Sequence, residues 1–449
     1  NAFIGPLLVA LPMLLTAWWL RRELPHSGSD WAEGWERLER GLQYPWFLVG
    51  AVLVVLATVS EIGRQLPAAN AEDWPKAVLT DWQQVLATVL AMLGLMALSD
   101  RLGRKRDWEV ATWPARLSFV VIVLGFLGVL VAGRHLLTWP DLLAWIVAAA
   151  LHLWLLHRQD KAEGEHKSGW NGGVHTAGAL LATLWIADSL FLGIDHADLW
   201  NTSWAGVAYL VAGVAVLMVL TRWAGRAAAL KDTAALAWPL HPHARAYWWR
   251  AAAPLAVLLY LGAMAGTLTA EGITDPLPYL PLLNPIDLSI ALVLVSLALW
   301  RRMLQGAASQ PAAALLFTGN SALGLGAALA FVWINTIWTR TAHHWLGVGW
   351  GPDAVLSSQV VLTGFSILWT LMAMGLMLFG QRKAQRLPWL AGAVLLGVVV
   401  AKLLFVDMSA VEGFARIASF IGVGVLMLLI GYFVPLPPRK GEEATPRKV

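Results

Sequence analysis

Hydrophobic residues do not alternate along this chain. They run in unbroken blocks, of which "FLVGAVLVVLATVSEIG" (47–63) is typical, separated by short polar connections. Blocks of about 20 residues match the hydrocarbon thickness of a bilayer, where only helices or closed barrels satisfy the backbone, and the lack of a two-residue period selects helices. Thirteen spans follow: 2–20, 45–63, 82–99, 114–133, 138–157, 172–194, 204–221, 251–270, 286–304, 312–335, 357–380, 387–408 and 412–434. The expected fold is an all-α polytopic transmembrane helix bundle over residues 1–434, with a polar cytoplasmic tail at 435–449. No soluble domain, sequence repeat or nucleotide-binding loop interrupts it.

Composition agrees: 58% of the 449 residues are hydrophobic, 13% are charged, and mean hydropathy is +0.62. The absence of cysteine excludes thiolate ligands and a cysteine nucleophile. Many of the 27 tryptophans, among them Trp18, Trp19, Trp46, Trp113, Trp204, Trp248, Trp249 and Trp338, sit where apolar runs end, as an interfacial aromatic belt would place them. A net charge of +4 and a pI near 9.4 reflect basic loops rather than nucleic-acid binding.

Those loops orient the chain. Of 32 lysines and arginines, 26 fall in connections after odd-numbered spans and 5 in the others. Short loops retain positive charge in the cytoplasm, so the C-terminus is expected inside and the first span begins outside. The chain opens straight into an apolar run, without a methionine or a basic leader, so further transmembrane helices of the same protein are expected upstream.

The segments "YLPLLNPIDL" (279–288), "NTIWTRTAHHWLGV" (335–348) and "SILWTLMAMGLMLFGQRK" (366–383), with the run from Trp389 to Phe433, resemble the C-terminal part of the domain of unknown function 2339 family of bacterial multi-pass membrane proteins. The resemblance rests on about Tyr279 to Phe433. It implies a bacterial inner-membrane protein of the cell envelope with a hydrophilic upstream region and additional helices, and it carries no assigned activity or catalytic residues.

Candidate chemistry gathers on the expected outer face. If 335–346 is helical, Arg340, His343 and His344 share one side with Trp345 beside them, so that Arg340 can clamp an anionic group while a histidine serves as acid or base. The alternative is a tryptophan-anchored helix end whose histidines meet headgroups. Adjacent histidines on a helix point about 100° apart and have no obvious third ligand here, so neither metal nor cofactor is expected. Asn284 and Asp287 fit the N-cap and first turn of a helix that starts at Pro285, and Asp287 is also a candidate carboxylate partner. Asp195, in "GIDHADLWN" (193–201), is a second one, following Asp188 within a span.

Lys402 interrupts an apolar run and is expected to face the interior near Asp287 or the Arg340 group, or else to snorkel. Asp407 and Arg416 are expected to pair across a short turn. The stretch "AWPLHPHARAYWWR" (237–250) suggests an interfacial helix on anionic lipid, and the glycines of 319–330 suggest close helix packing. Three functions remain open: an enzyme at the periplasmic face acting on a lipid-linked or glycan substrate with an anionic group, a transporter or flippase, and a non-catalytic scaffold. Partners on any of them are membrane lipids, with no nucleic acid.

Overall fold

The computed structural model describes residues 3–21, 30–66, 80–163, 169–231 and 233–403, together with Ile421 and Leu428. Twelve longer helices carry most of these residues, with a short one at Pro352–Ser357: α1 (Ile4–Trp19), α2 (Asp30–Gln65), α3 (Asp81–Lys105), α4 (Glu109–Val131, its first turns 3-10), α5 (Asp141–Glu163), α6 (Gly169–His196), α7 (Trp204–Ala228), α8 (Leu240–Thr269), α9 (Pro285–Gln305), α10 (Ala312–Leu346), α11 (Gln359–Arg382) and α12 (Arg386–Lys402). No strand occurs among the described residues. Nine of these helices, α2 to α8 with α10 and α11, are long and apolar enough to cross a membrane. The expected spans 2–20 and 286–304 fall on α1 and α9, which do not meet that standard, and 387–408 falls on α12, which is described only as far as residue 403. The thirteenth span, and the pair Asp407 and Arg416, lie outside the described residues.

The chain divides into two compact units. The first comprises Asn1–Trp200, Ala208–Leu259 and Val295–Ser321, and the second Asn201–Val207, Tyr260–Leu294 and Ala322–Val449.

In the first unit, Trp82, Leu86, Val89, Leu93 and Met96 recur at helical spacing along α3 and bury one face of it. They meet Val121, Ile122, Phe126 and Val129 of α4 and Trp145, Ala148 and Leu155 of α5. The other side of α4 leaves Leu124, Leu127 and Val131 exposed. A helix apolar all round, with leucine on its outer surface, suits contact with lipid rather than water. Asp100 of α3 is completely buried and accepts from Arg104 Nε and Arg158 Nε, both at 2.8 Å, which ties α3 to α5. Asp188 accepts from the Leu136 backbone N–H at 3.1 Å and faces His135 Nδ1 at 2.9 Å, so it holds the turn before α5.

In the second unit α11 and α12 lie in close contact. A Cβ added at Gly392 would stand 2.6 Å from the Ala373 carbonyl oxygen and 2.7 Å from Met377 Cγ, so only glycine fits there. The glycines expected to seat helices do not: Gly324 and Gly326 have open space where a Cβ would go, and Gly364, against the Trp338 ring, takes that part instead. Lys402 donates to the Leu362 carbonyl (3.0 Å) and to Ser366 Oγ (2.7 Å), joining α12 to α11. These two bonds go to a neighbouring helix rather than to Asp287 or Arg340.

The tryptophans divide. Trp19, Trp46 and Trp113 are exposed, as a belt requires, but Trp248 is buried and Trp338 donates to the Val361 carbonyl.

Replacing Gly392 by valine forces α11 and α12 apart, and overpacking of this kind costs about 1–3 kcal/mol. Thermal unfolding followed by tryptophan fluorescence in detergent is expected to show a lower midpoint for Gly392→Val, and an unchanged midpoint would contradict the close contact.

Candidate functional site: a buried aspartate between two histidines

The expected site residues of the second unit do converge, around the segment 271–284 that links α8 to α9. Asn284 caps α9 as its position suggests: its Oδ1 accepts from the Ile286 N–H (3.1 Å) while its Nδ2 donates to the Gly272 carbonyl (3.0 Å) and Thr274 Oγ1 (3.2 Å). Gly272 has φ +93, and a Cβ there would stand 3.3 Å from Arg340 Cδ and the Tyr279 ring. The left-handed backbone therefore brings this loop down onto Arg340.

Arg340 is fully buried on α10, with all of its bonding directed into the protein. Nη1 reaches Asp287 Oδ1 at 2.7 Å, Nε reaches the Ala270 carbonyl at 2.9 Å, and Nη2 reaches the Gly266 and Thr267 carbonyls at 3.2 and 2.9 Å. Those carbonyls lie at the end of α8, where a helix favours a cation, and the Gly266 one also accepts from the Ala270 N–H at 3.1 Å. Trp333 Nε1 adds a bond to the same Asp287 oxygen at 3.1 Å.

The neighbouring aromatic residues complete the arrangement. His344 Nε2 lies 3.0 Å from the Glu271 carbonyl, with its ring stacked on Tyr279 at 4.5 Å. His343 sits between the Val348 carbonyl (2.7 Å) and the Glu271 carboxylate (2.9 Å), and Trp345 Nε1 donates to the Tyr279 carbonyl. Burial pushes the Tyr279 phenol up to about 12. Asp195 belongs to the first unit, exposed near the end of α6, where it accepts from Trp200 Nε1 at 3.3 Å.

A second cluster, which sequence reasoning missed, is built in the first unit from three helices. Asp160 near the end of α5, His175 in the second turn of α6 and His243 at the start of α8 are all buried. Asp160 Oδ2 lies 2.9 Å from His175 Nε2 and accepts from Trp238 Nε1 at 2.7 Å. Its Oδ1 lies 3.0 Å from His243 Nε2 and accepts from Asn171 Nδ2 at 3.0 Å. The two imidazoles stack at 4.4 Å, and Tyr247 Oη meets His175 Nδ1 at 2.7 Å. One acidic and two imidazole donors thus lie within 4.8 Å of one another, a set that can hold a divalent ion.

The backbone explains how they meet. Pro239 and Pro242 interrupt the entry to α8, and His241 has extended φ/ψ, so 237–250 does not form the regular interfacial helix that its composition suggests. Instead it turns Trp238, His243 and Tyr247 inward. The wide π-type turn Ala246–Ala251 follows at once, a feature that often accompanies functional positions. Gly172 lets α6 approach: a Cβ there would meet Arg250 Nη1 at 3.3 Å and His243 Nδ1 at 3.7 Å. The available signals were the His-Pro-His sequence and the Asn-Gly-Gly opening of α6.

His175 and Tyr247, with His152, also line an apolar cavity of about 360 Å³ walled by Phe126, Trp145, Leu153 and Leu181. His152 is anchored by Ser118 Oγ at 3.0 Å.

Residues 39–437 match the sequence family described as "Predicted membrane protein (DUF2339)". The chain belongs to that family. The DUF2339 match reaches far upstream of Tyr279, so the Asp160 cluster lies within the family's bounds just as the Arg340 cluster does. No curated protein and no solved structure matches the chain.

Arg340→Met leaves Asp287 buried without its partner, and breaking such a pair costs about 3–5 kcal/mol, whereas Arg340→Met with Asp287→Leu is expected to recover most of that loss. Unfolding midpoints of the single and double variants in detergent measure it, and equal losses would show that the pair is not coupled. Tyr279 supplies a pH dependence. Its folded pKa lies above the ordinary value near 10, so its contribution is complete below pH about 10 and is lost as pH rises toward 12. In a spectrophotometric alkaline titration Tyr279→Phe should remove a late-ionising phenol.

Proposed function

We propose that this protein is a bacterial inner-membrane enzyme of lipid metabolism, whose substrate inserts its hydrocarbon chain into the apolar cavity of the first unit and presents its polar end to His152, His175 and Tyr247. The carrying observation is the cavity's chemistry: aromatic and aliphatic walls among apolar helices, with His152, His175 and Tyr247 as its titratable side chains. Its volume falls in the range of about 300–1,000 Å³ typical of small-molecule sites. An amphiphile drawn sideways from the bilayer matches walls and titratable side chains at once, whereas a soluble polar molecule would leave the walls unmatched.

The bias of basic loops supports a cytoplasmic placement for this polar end, because Asp160, His175 and His243 adjoin connections rich in lysine and arginine. The same bias puts Arg340 at the periplasmic side. An anion clamp there is less well supported, since the guanidinium already bonds to Asp287 and three carbonyls. The lipid-linked substrate class expected from the sequence is kept, and the site moves to the other cluster. A transporter would place paired charges at a midplane site between inverted repeats, and the sequence shows no such repeats.

Native mass spectrometry of the protein released from detergent tests this reading. One bound lipid per chain is expected, and Ala149→Trp, which fills the cavity, should remove it without altering the size-exclusion profile. Lipid retained by that variant would place the binding elsewhere.

A further inference from the structure

The geometry points to a metal centre: we infer that Asp160, His175 and His243 bind one divalent first-row transition ion through a carboxylate oxygen and the two Nε2 atoms. The inference stands apart from the lipid reading, because metal binding is measured without any lipid.

Charge balance is the first support. Asp160 is buried, yet among the described residues no lysine or arginine pairs with it; its partners are two histidines, an indole and an amide. Asp100 and Asp287, buried on these helices, each carry an arginine, whereas Asp141, also buried, accepts a hydrogen bond from the Thr138 hydroxyl. A buried carboxylate without a cation is costly, and neutral imidazoles supply no countercharge. A divalent ion does.

Distances give the second support. Ligands at about 2.0–2.2 Å from a zinc-like ion stand roughly 3.0–3.5 Å apart. The Nε2 atoms of His175 and His243 lie 2.9 and 3.0 Å from different oxygens of Asp160, and one ligand atom from each of the three residues falls within 4.8 Å of the others, so a bound ion would draw the two imidazoles together about the carboxylate. The exchange is balanced: as the ion binds at Nε2, the single ring proton of each neutral histidine shifts from Nε2 to Nδ1, so the imidazoles stay neutral and no proton is released.

The surroundings give the third. Tyr247 Oη lies 2.7 Å from His175 Nδ1 and can accept that relocated proton, the outer-shell arrangement that orients a metal-bound histidine. Trp238 and Asn171 hold one carboxylate oxygen each, which fixes the plane of the group. Two histidines and one carboxylate leave coordination positions free, as catalytic rather than purely structural sites do.

The test uses the full chain in detergent, purified through a tag that lacks histidine and stripped with a chelator. Titration with Co²⁺ is expected to give visible d–d absorption that saturates at one ion per chain and is displaced by Zn²⁺. His175→Gln and His243→Gln should each abolish stoichiometric binding, His343→Gln should leave it unchanged, and Tyr247→Phe should weaken it about 10–100-fold. Elemental analysis of unstripped protein then separates zinc from iron(II). Size-exclusion and tryptophan fluorescence report folding, and if Asp160→Asn fails to fold the two histidine variants carry the result. Absence of saturable Co²⁺ binding in the folded wild type, or binding that survives both histidine substitutions, would overturn the assignment in favour of a hydrogen-bonded cluster alone.

Discussion

A charged group enclosed by apolar helices must bring its partner with it, because neither lipid nor a dry interior replaces the water it has lost. That constraint organises both units. Asp100 gathers Arg104 and Arg158 and so joins α3 to α5. Asp287 gathers Arg340 and Trp333, and through Arg340 the exposed carbonyls at the end of α8. Lys402 reaches across to α11. Asp100 with Arg158, Asp287 with Arg340 and Lys402 with Ser366 each link segments distant in sequence, so the polar exceptions to an apolar chain help determine which helices meet, while the leucines and valines between them fill the contact.

The helical architecture was legible because block length and lack of alternation are properties of one segment at a time. The cap at Asn284 was legible for the same reason, its partner Ile286 being two residues away. Arg340 and Asp287 stood out as charges among apolar neighbours, but their mutual bond spans 53 positions and nothing local specifies it. The tool for placing tryptophan was local too: a ring at the end of a run reads as interfacial. Trp238 and Trp248 turn inward only because Pro239 and Pro242 redirect the chain.

The Asp160 cluster was hidden by this limit. Its aspartate follows a run of α5, His175 opens α6 and His243 precedes α8, and each alone resembles a residue at a headgroup. Separations of 15 and 83 positions from the aspartate leave no spacing to recognise. Only the folded chain shows that three such ends share one point.

The two clusters differ in the capacity they leave for chemistry. Around Arg340 the guanidinium is matched to one carboxylate oxygen and to helix-end carbonyls, so its donors are engaged in a joint, while Asp287 Oδ2 is buried without a hydrogen-bond partner among the described residues. Around Asp160 the carboxylate is saturated with donors but short of charge, while His152, His175 and Tyr247 also line an apolar space large enough for a guest. An arrangement satisfied in hydrogen bonds and unsatisfied in electrostatics is stable enough to persist and still gains by binding a cation. Asp100 and Asp287 have each found an arginine within the chain, and the lack of one at Asp160 is the physical reason to look for a bound cation there.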